Sequence, residues 1–236
     1  MTEGSRTDRP TGAAPQAPLP GRPVWAARTC AAALALFALL GLFVADFGWG
    51  RPEAVQQADD LWLGAVEAAR APELTGVALF LDAAGAVPYT YLALGGVALL
   101  LAVWRRWWAL LFFALSYVTA QPLATTLFKA LLDRPRPVDR LVPTDSAAYP
   151  SGHTVTAAVI SFALVMVVLV AMRPRRYAFG LSIGAAVLIT AAMAWSRTYL
   201  GAHWLSDTVG AVCLGVGLTL LWWWLLAPRI RAELRR

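Results

Sequence analysis

The two histidines of this 236-residue chain each lie in a short polar cluster that interrupts an otherwise apolar sequence. One cluster is Pro150-Ser151-Gly152-His153, a second is Ser196-Arg197 followed by His203 and Asp207, and a third runs from Lys129 to Arg136-Pro137. Together they offer cations, an imidazole that can give up a proton, and a second imidazole with a carboxylate four residues on. Phosphoryl transfer is the chemistry that needs this combination.

A spacing of four puts His203 and Asp207 on one helix face, provided the helix has already begun there. The carboxylate then accepts the Nδ1–H bond, and Nε2 keeps its lone pair for attack on phosphorus. The plain alternative is a pair that only fastens a helix end, although ionisable side chains in or beside a membrane favour function. Ser151, Gly152 and His153 directly precede an apolar run, where a helix N-terminus belongs. Unpaired amides and the helix dipole attract an anion to such a place, and Gly152 lets the backbone come close to it. Ser151 taken alone reads as an N-cap. His153, with an ordinary pKa near neutrality, suits protonation of a leaving alkoxide. Lys129, Arg136 and Arg197 supply the positive charge that phosphoryl oxygens and their transition state require. One arginine near a membrane is explained by snorkelling, but three cations beside two histidines and an aspartate are not.

The elements that carry these residues must live in a membrane. Hydrophobic residues make up 59% of the chain, charged residues 14%, and mean hydropathy is +0.59, which excludes a soluble globular domain of this size. The expected fold is all-α: a polytopic helical bundle of six transmembrane helices, with interfacial helices between the first and second spans. Residues 1–23 read as a disordered tail, 24–230 as the six-span domain and 231–236 as a basic C-terminus. Cys30 to Ala45 reads as an uncleaved first helix, because Phe43 stands where a signal-peptide cleavage site needs a small residue. Residues 50–72 carry too many charges to span and suit an interfacial amphipathic helix. Pro72, Gly85 and Pro88 then place a short surface helix over 74–84 and the second crossing near Val87 to Val103. The remaining crossings are expected at Trp107 to Leu127, Thr154 to Met172, Tyr177 to Trp195 and Leu205 to Leu226.

Six spans return both termini to one side, together with Arg22, Arg28, Arg105, Arg106, Arg173, Arg175, Arg176, Arg229 and Arg231. The positive-inside rule makes that side cytoplasmic and puts the three reactive clusters on the extracytoplasmic face of the plasma membrane. Lys129, Arg134, Arg136 and Arg140, in the loop expected after the third crossing, pull the other way. Trp104, Trp107, Trp108 and Trp222 to Trp224 fall at span ends and suit an aromatic belt. Cys30 and Cys213 read as small core residues, with no closely spaced partners to form a metal site. The net charge of +6 lacks the basic face interleaved with aromatics that a nucleic-acid partner needs.

The ordered set Lys129-x6-Arg136-Pro137, Pro150-Ser151-Gly152-His153 and Ser196-Arg197-x5-His203-x3-Asp207 resembles the three-motif signature of the type 2 phosphatidic acid phosphatase superfamily. The motifs cover 129–207, and the spans resemble the membrane-bound lipid phosphatase branch over roughly 25–230. The resemblance implies a metal-independent, cofactor-free hydrolase working through a phosphohistidine. His203 is then the nucleophile, Asp207 its orienting group, and His153 the acid that later helps to activate water. Lys129, Arg136, Ser151, Gly152 and Arg197 are then the phosphate ligands. Arg134 stands off the motif spacing and is left out. By analogy the substrate is a lipid phosphate in the bilayer: phosphatidate, phosphatidylglycerol phosphate or undecaprenyl diphosphate. Transfer to an acceptor alcohol uses the same motifs, and an anion transporter is the reading from another class.

Overall fold

The computed structural model describes residues 21–45, 53–172 and 176–234. Most of the expected N-terminal tail, Arg51, Arg173, Arg175 and the last two residues lie outside the described residues. All regular structure described is helical: α1 Val24–Val44, α2 Glu53–Ala68, α3 Pro72–Gly85, α4 Val87–Val103, α5 Trp107–Val118, a π-helical stretch Thr119–Thr125, α6 Thr126–Leu132, α7 Gly152–Met172, α8 Arg176–Tyr199 and α9 Leu205–Leu234.

Helix α9, 30 residues and therefore about 45 Å long, is the post around which α1, α5 and α7 stand. Close approach is possible because glycines face the neighbours. A Cβ on Gly217 would fall 2.7 Å from Leu34 of α1, and one on Gly210 would fall 2.6 Å from the Tyr149 ring. Small residues at helix crossings serve dispersion packing where lipid supplies no hydrophobic drive between helices. Tyr149 is wholly buried, stacks on Phe37 at 5.5 Å and donates its hydroxyl to the Phe37 carbonyl at 2.9 Å.

α1, α5 with α6, α7, α8 and α9 are each long and apolar enough to cross a bilayer. The α3–α4 pair passes the same test only as a broken span, bent by 56°. Its two arms have different jobs. The first turn of α3 is held at Tyr199, where the Ala71 amide donates to Oη at 2.9 Å, and its last residue, Gly85, abuts the His153 ring. α3 therefore runs across the end of the bundle that carries the polar clusters. α4 runs away from that end and delivers Leu101 to a core cluster with Ala109, Phe112 and Trp223. This division matches the expected surface helix and second crossing.

The opposite end collects basic connections. Arg106 Nη1 donates to the Glu233 carbonyl at 2.5 Å, Arg22 lies 5.0 Å over Trp224, and Arg229 lies 4.7 Å over Trp108. The Glu233 carboxylate accepts the Trp108 and Ala109 amides at 3.0–3.2 Å, so the last turn of α9 caps the first turn of α5.

Several expected boundaries move. The third crossing continues through Pro122 to Leu132, because a π-helical stretch absorbs the missing proline donor. Thr119 donates to Leu115 at 2.7 Å and Thr125 to Ala120 at 2.8 Å. Lys129 is consequently on α6, not in a loop, and Ser196-Arg197 forms part of α8. Trp223 is 2% exposed and packs on Phe112, so it is core and not belt; Trp222 donates to Thr119 at 3.0 Å. Cys30 is buried as expected, whereas Cys213 is only half-buried.

Gly210→Ala should push against the rigid Tyr149 ring and lower stability by ~1–3 kcal/mol, the usual cost of an overpacked core. A fall in the melting temperature of the detergent-solubilised chain measures it, and an unchanged value would show that Tyr149 has room to move.

Candidate active site

α6 ends at Asp133, whose φ of 36° and ψ of 42° turn the chain sharply out of the helix. The next residues are Arg134-Pro135-Arg136-Pro137. A residue before proline favours extended backbone, and in extended chain positions i and i+2 face the same way. Both guanidiniums accordingly reach the His203–Asp207 pair, one behind it and one in front.

Behind the pair, Arg134 is 1% exposed. Its Nη1 binds Asp207 Oδ1 and donates to Ser206 Oγ at 2.7 Å, and its Nη2 meets Asp59 Oδ2 of α2 at 2.6 Å. Asp59 also accepts the Ser206 amide at 2.8 Å and the Ser206 hydroxyl at 2.7 Å. Asp207 Oδ2 reaches back to the Trp204 amide at 2.9 Å, the reciprocal half of a capping box at the start of α9. His203 thus precedes the helix, and the two residues do not share a helix face as the spacing suggested. They meet because Asp207 folds back over the first turn, with Oδ2 3.5 Å from His203 Nδ1.

In front, Arg136 Nη1 lies 3.1 Å from His203 Nε2 and donates to the Ala202 carbonyl at 2.5 Å. A guanidinium has no acceptor, so Nε2 is the lone-pair side of His203 and Nδ1–H faces Asp207. Burial, first of all, draws the His203 pKa down to about 3 against the opposing pull of Asp207, while Arg136 and Arg197 add to the drop. The ring is neutral. Burial is also the main reason that Arg136 falls to about 10, which leaves it charged at neutral pH.

A cavity of about 370 Å³ opens in front of Nε2. Its walls include Lys129, Arg136, Gly152, His153, Arg197 and His203, six of the eight residues singled out from the sequence. Lys129 Nζ is anchored on the Ala147 carbonyl and lies 3.3 Å from Ser146 Oγ, and Arg136 Nε donates to the Ser146 carbonyl at 2.6 Å. The 146–147 strand of loop therefore holds both cations in place. α7 begins at Gly152, so the first amides of a 21-residue helix border the cavity. A Cβ on Gly152 would lie 3.1 Å from the Gln121 amide, which lines the same wall.

The other two residues stand behind the wall. Asp207 is wholly buried, and so is Ser151, whose hydroxyl accepts from Thr154 at 3.1 Å and whose amide donates to the Asp207 carbonyl at 3.2 Å. Ser151 ties the start of α7 to the start of α9. α2 contributes nothing to the cavity wall; it closes the site from behind through Asp59. Three charged residues escaped the sequence reading: Asp59, Arg134 and Asp82, the last paired with Arg197 and 3.5 Å from His153 Nε2. Asp59 looked like a solvated charge in an amphipathic stretch, Asp82 went unremarked in the short surface helix, and Arg134 was set aside on spacing. Only the Arg-Pro repeat, with its two like-facing positions, hinted that Arg134 had a partner.

No curated protein matches the chain. Its backbone is similar to the crystal structure of a transmembrane PAP2 type phosphatidylglycerolphosphate phosphatase from Bacillus subtilis. The TM-score is 0.73 at 24% identity, over 82% of this chain and 94% of that one. A likeness at that identity speaks for the fold, and with the apolar helices it makes the chain a multi-pass membrane protein. The PAP2 superfamily model matches residues 105–231, which span both arginines of the Arg-Pro repeat, both histidines and Asp207. The chain belongs to the PAP2 superfamily.

Proposed function

We propose that the protein is an integral membrane phosphatase that hydrolyses lipid phosphate monoesters or polyprenyl diphosphates through a phosphohistidine on His203. The observation that carries this reading is the arrangement around one ring. His203 Nε2 points at the cavity among Arg136, Lys129 and Arg197, while Asp207 stands at Nδ1.

In the proposed first step the Nε2 lone pair attacks phosphorus and the bond from phosphorus to the lipid oxygen breaks. His153 gives its proton to the departing oxygen. Arg136 moves from Nε2 to the phosphoryl oxygens, joined by Lys129, Arg197 and the first amides of α7, and Asp207 stabilises the positive charge that grows on the ring. In the second step water attacks the phosphohistidine, yields a proton to His153, and phosphate leaves as the electron pair returns to Nε2. Three side-chain cations take the part that a metal plays elsewhere, and Ser151 acts by fixing the start of α7.

The lipid assignment rests on where the cavity opens. Its side walls are Val87, Thr90 and Tyr91 of α4 and Tyr117, Pro122 and Thr126 of the α5–α6 segment. Beyond them α4 exposes Leu92, and the π-helical stretch with α6 exposes Leu123 and Leu127, so a headgroup can meet the cations while its tails stay between two apolar segments. The basic end described above is opposite the cavity, which supports cytoplasmic termini and an extracytoplasmic site.

Phosphate release from short-chain phosphatidate in detergent should continue in EDTA and fall by several powers of ten in His203→Ala. Activity that needs a divalent ion, or that survives the substitution, contradicts the mechanism. Adding lipid or sugar alcohols and analysing products separates hydrolysis from transfer.

The pH dependence of kcat/KM should carry an acid limb where the nucleophile His203 becomes protonated. Because burial lowers the His203 pKa to about 3, its protonation cannot shut down the enzyme until pH falls well below the ordinary imidazole range near 6.5. The acid limb of kcat/KM, corrected for ionisation of the substrate, should therefore lie below pH 5. A limb centred near 6.5 would place His203 in a more hydrated setting than this one.

A further inference from the structure

Asp82 belongs to none of the three polar clusters, yet its carboxylate stands among their side chains. It sits in the last turn of α3, just ahead of the 56° bend into α4. Its Oδ1 is ion-paired with Arg197 Nη1 and lies 3.5 Å from His153 Nε2. Arg197 is 2% exposed and comes from the last turn of α8, whereas the Asp82 side chain is 27% exposed. A nearly buried cation is therefore held by a carboxylate that solvent still reaches. The same bend touches the site a second time through Gly85, which lines the cavity and whose Cβ, were there one, would run into the His153 ring.

Arg197 offers its fork to anions, and a carboxylate and a phosphoryl group want the same N–H bonds. Two anions on one guanidinium repel each other, and the more flexible one gives way. Asp82 is the candidate to move, because its side chain is the solvent-reached member of the pair and the chain just beyond it bends by 56°. Arg197 is fixed from the other side. Its backbone carbonyl accepts the Ala202 and His203 amides at 3.0 and 3.2 Å.

We propose that Asp82 is an internal competitor for the phosphate site: its carboxylate, carried on the α3–α4 bend, occupies Arg197 and is displaced by the phosphoryl group of substrate or by product phosphate. This rests on the phosphatase reading, since it takes Arg197 as a phosphate ligand. Asp82 is a positioning residue, not a catalytic one. Its return to Arg197 drives phosphate out, and its departure frees His153 and loosens the bend beside the gap through which lipid tails pass.

The test is calorimetric binding of inorganic phosphate to the full-length chain in detergent, which needs no turnover. Asp82→Asn should bind phosphate about tenfold tighter, as removal of one like charge from a partly solvated site implies, and Asp82→Glu should stay within about twofold of the unaltered protein. A purely structural aspartate would lower the melting temperature and leave phosphate affinity flat. Equal or weaker binding by Asp82→Asn overturns the proposal. Should that variant fail to fold, hydrogen exchange on the unaltered chain decides: added phosphate should speed exchange over residues 82–88 and not in α7, and unchanged exchange there overturns the proposal equally. Lipid-phosphate hydrolysis with normal phosphate binding, but no effect at Asp82, sinks this inference alone. Absence of both hydrolysis and phosphate binding brings down the phosphatase reading with it.

Discussion

One buried guanidinium organises the reactive end of this protein. Arg134 is enclosed between carboxylates of α2 and α9, with the Ser206 hydroxyl completing the set. Taking these charges out of water is costly, and leaving one unpaired costs about 3–5 kcal/mol, so the partners must close on each other together. Four things follow from that closure. α2 docks against the start of α9, the chain leaving α6 is held extended, the first turn of α9 is capped from two sides, and Asp207 has its carboxylate plane set. His203 receives its orientation last, from an aspartate that cannot rotate.

The membrane explains why so much rigidity collects in one place. Inside the bilayer a helix backbone must satisfy itself, which is what the π-helical pairing does across Pro122. Irregular backbone is affordable only at the rim or where side chains and loops bury it, and the segments 133–151 and 200–204 meet there. The glycine-faced post α9 lets α1 and α7 approach closely, and Tyr149 packs between Phe37 of α1 and Gly210 of α9. Against this frame the α3–α4 bend is held by the Asp82–Arg197 ion pair and by the Thr90 hydroxyl on the Gly85 carbonyl at 3.0 Å.

Electrostatics divides the site into two layers. The rear layer keeps one net negative charge, because two carboxylates, Asp59 and Asp207, share the single guanidinium of Arg134, and that charge stands behind the His203 ring. In front, Lys129 and Arg136 are held by backbone carbonyls, which orient them without cancelling their charge. Arg197 is the exception, because Asp82 does cancel it. A neutral His203 among these cations is what desolvation produces, since burial penalises the protonated ring and the neighbouring guanidiniums add to the penalty.

Local chemistry was legible in the sequence where local pattern is enough. Apolar run lengths set the helices, prolines and glycines set the α3–α4 break, and three polar clusters named six residues that do share a cavity. The burial of Ser151 and Trp223 and the boundaries of α6, α8 and α9 were not legible, because burial and helix length depend on neighbours that the chain does not reveal in order. Asp59 and Asp82 were passed over for the same reason, and Arg134 because it stands off the motif spacing. A charge in an amphipathic stretch is identical on paper whether it ends in water or against a guanidinium 75 residues away. The sequence by itself determined that this is a helical membrane protein with two histidines, an aspartate and three cations gathered in polar clusters at span ends. Only the tertiary structure decided which carboxylate serves which cation, because ion pairing in a low-dielectric rim is set by distance in space and by what solvent can still reach.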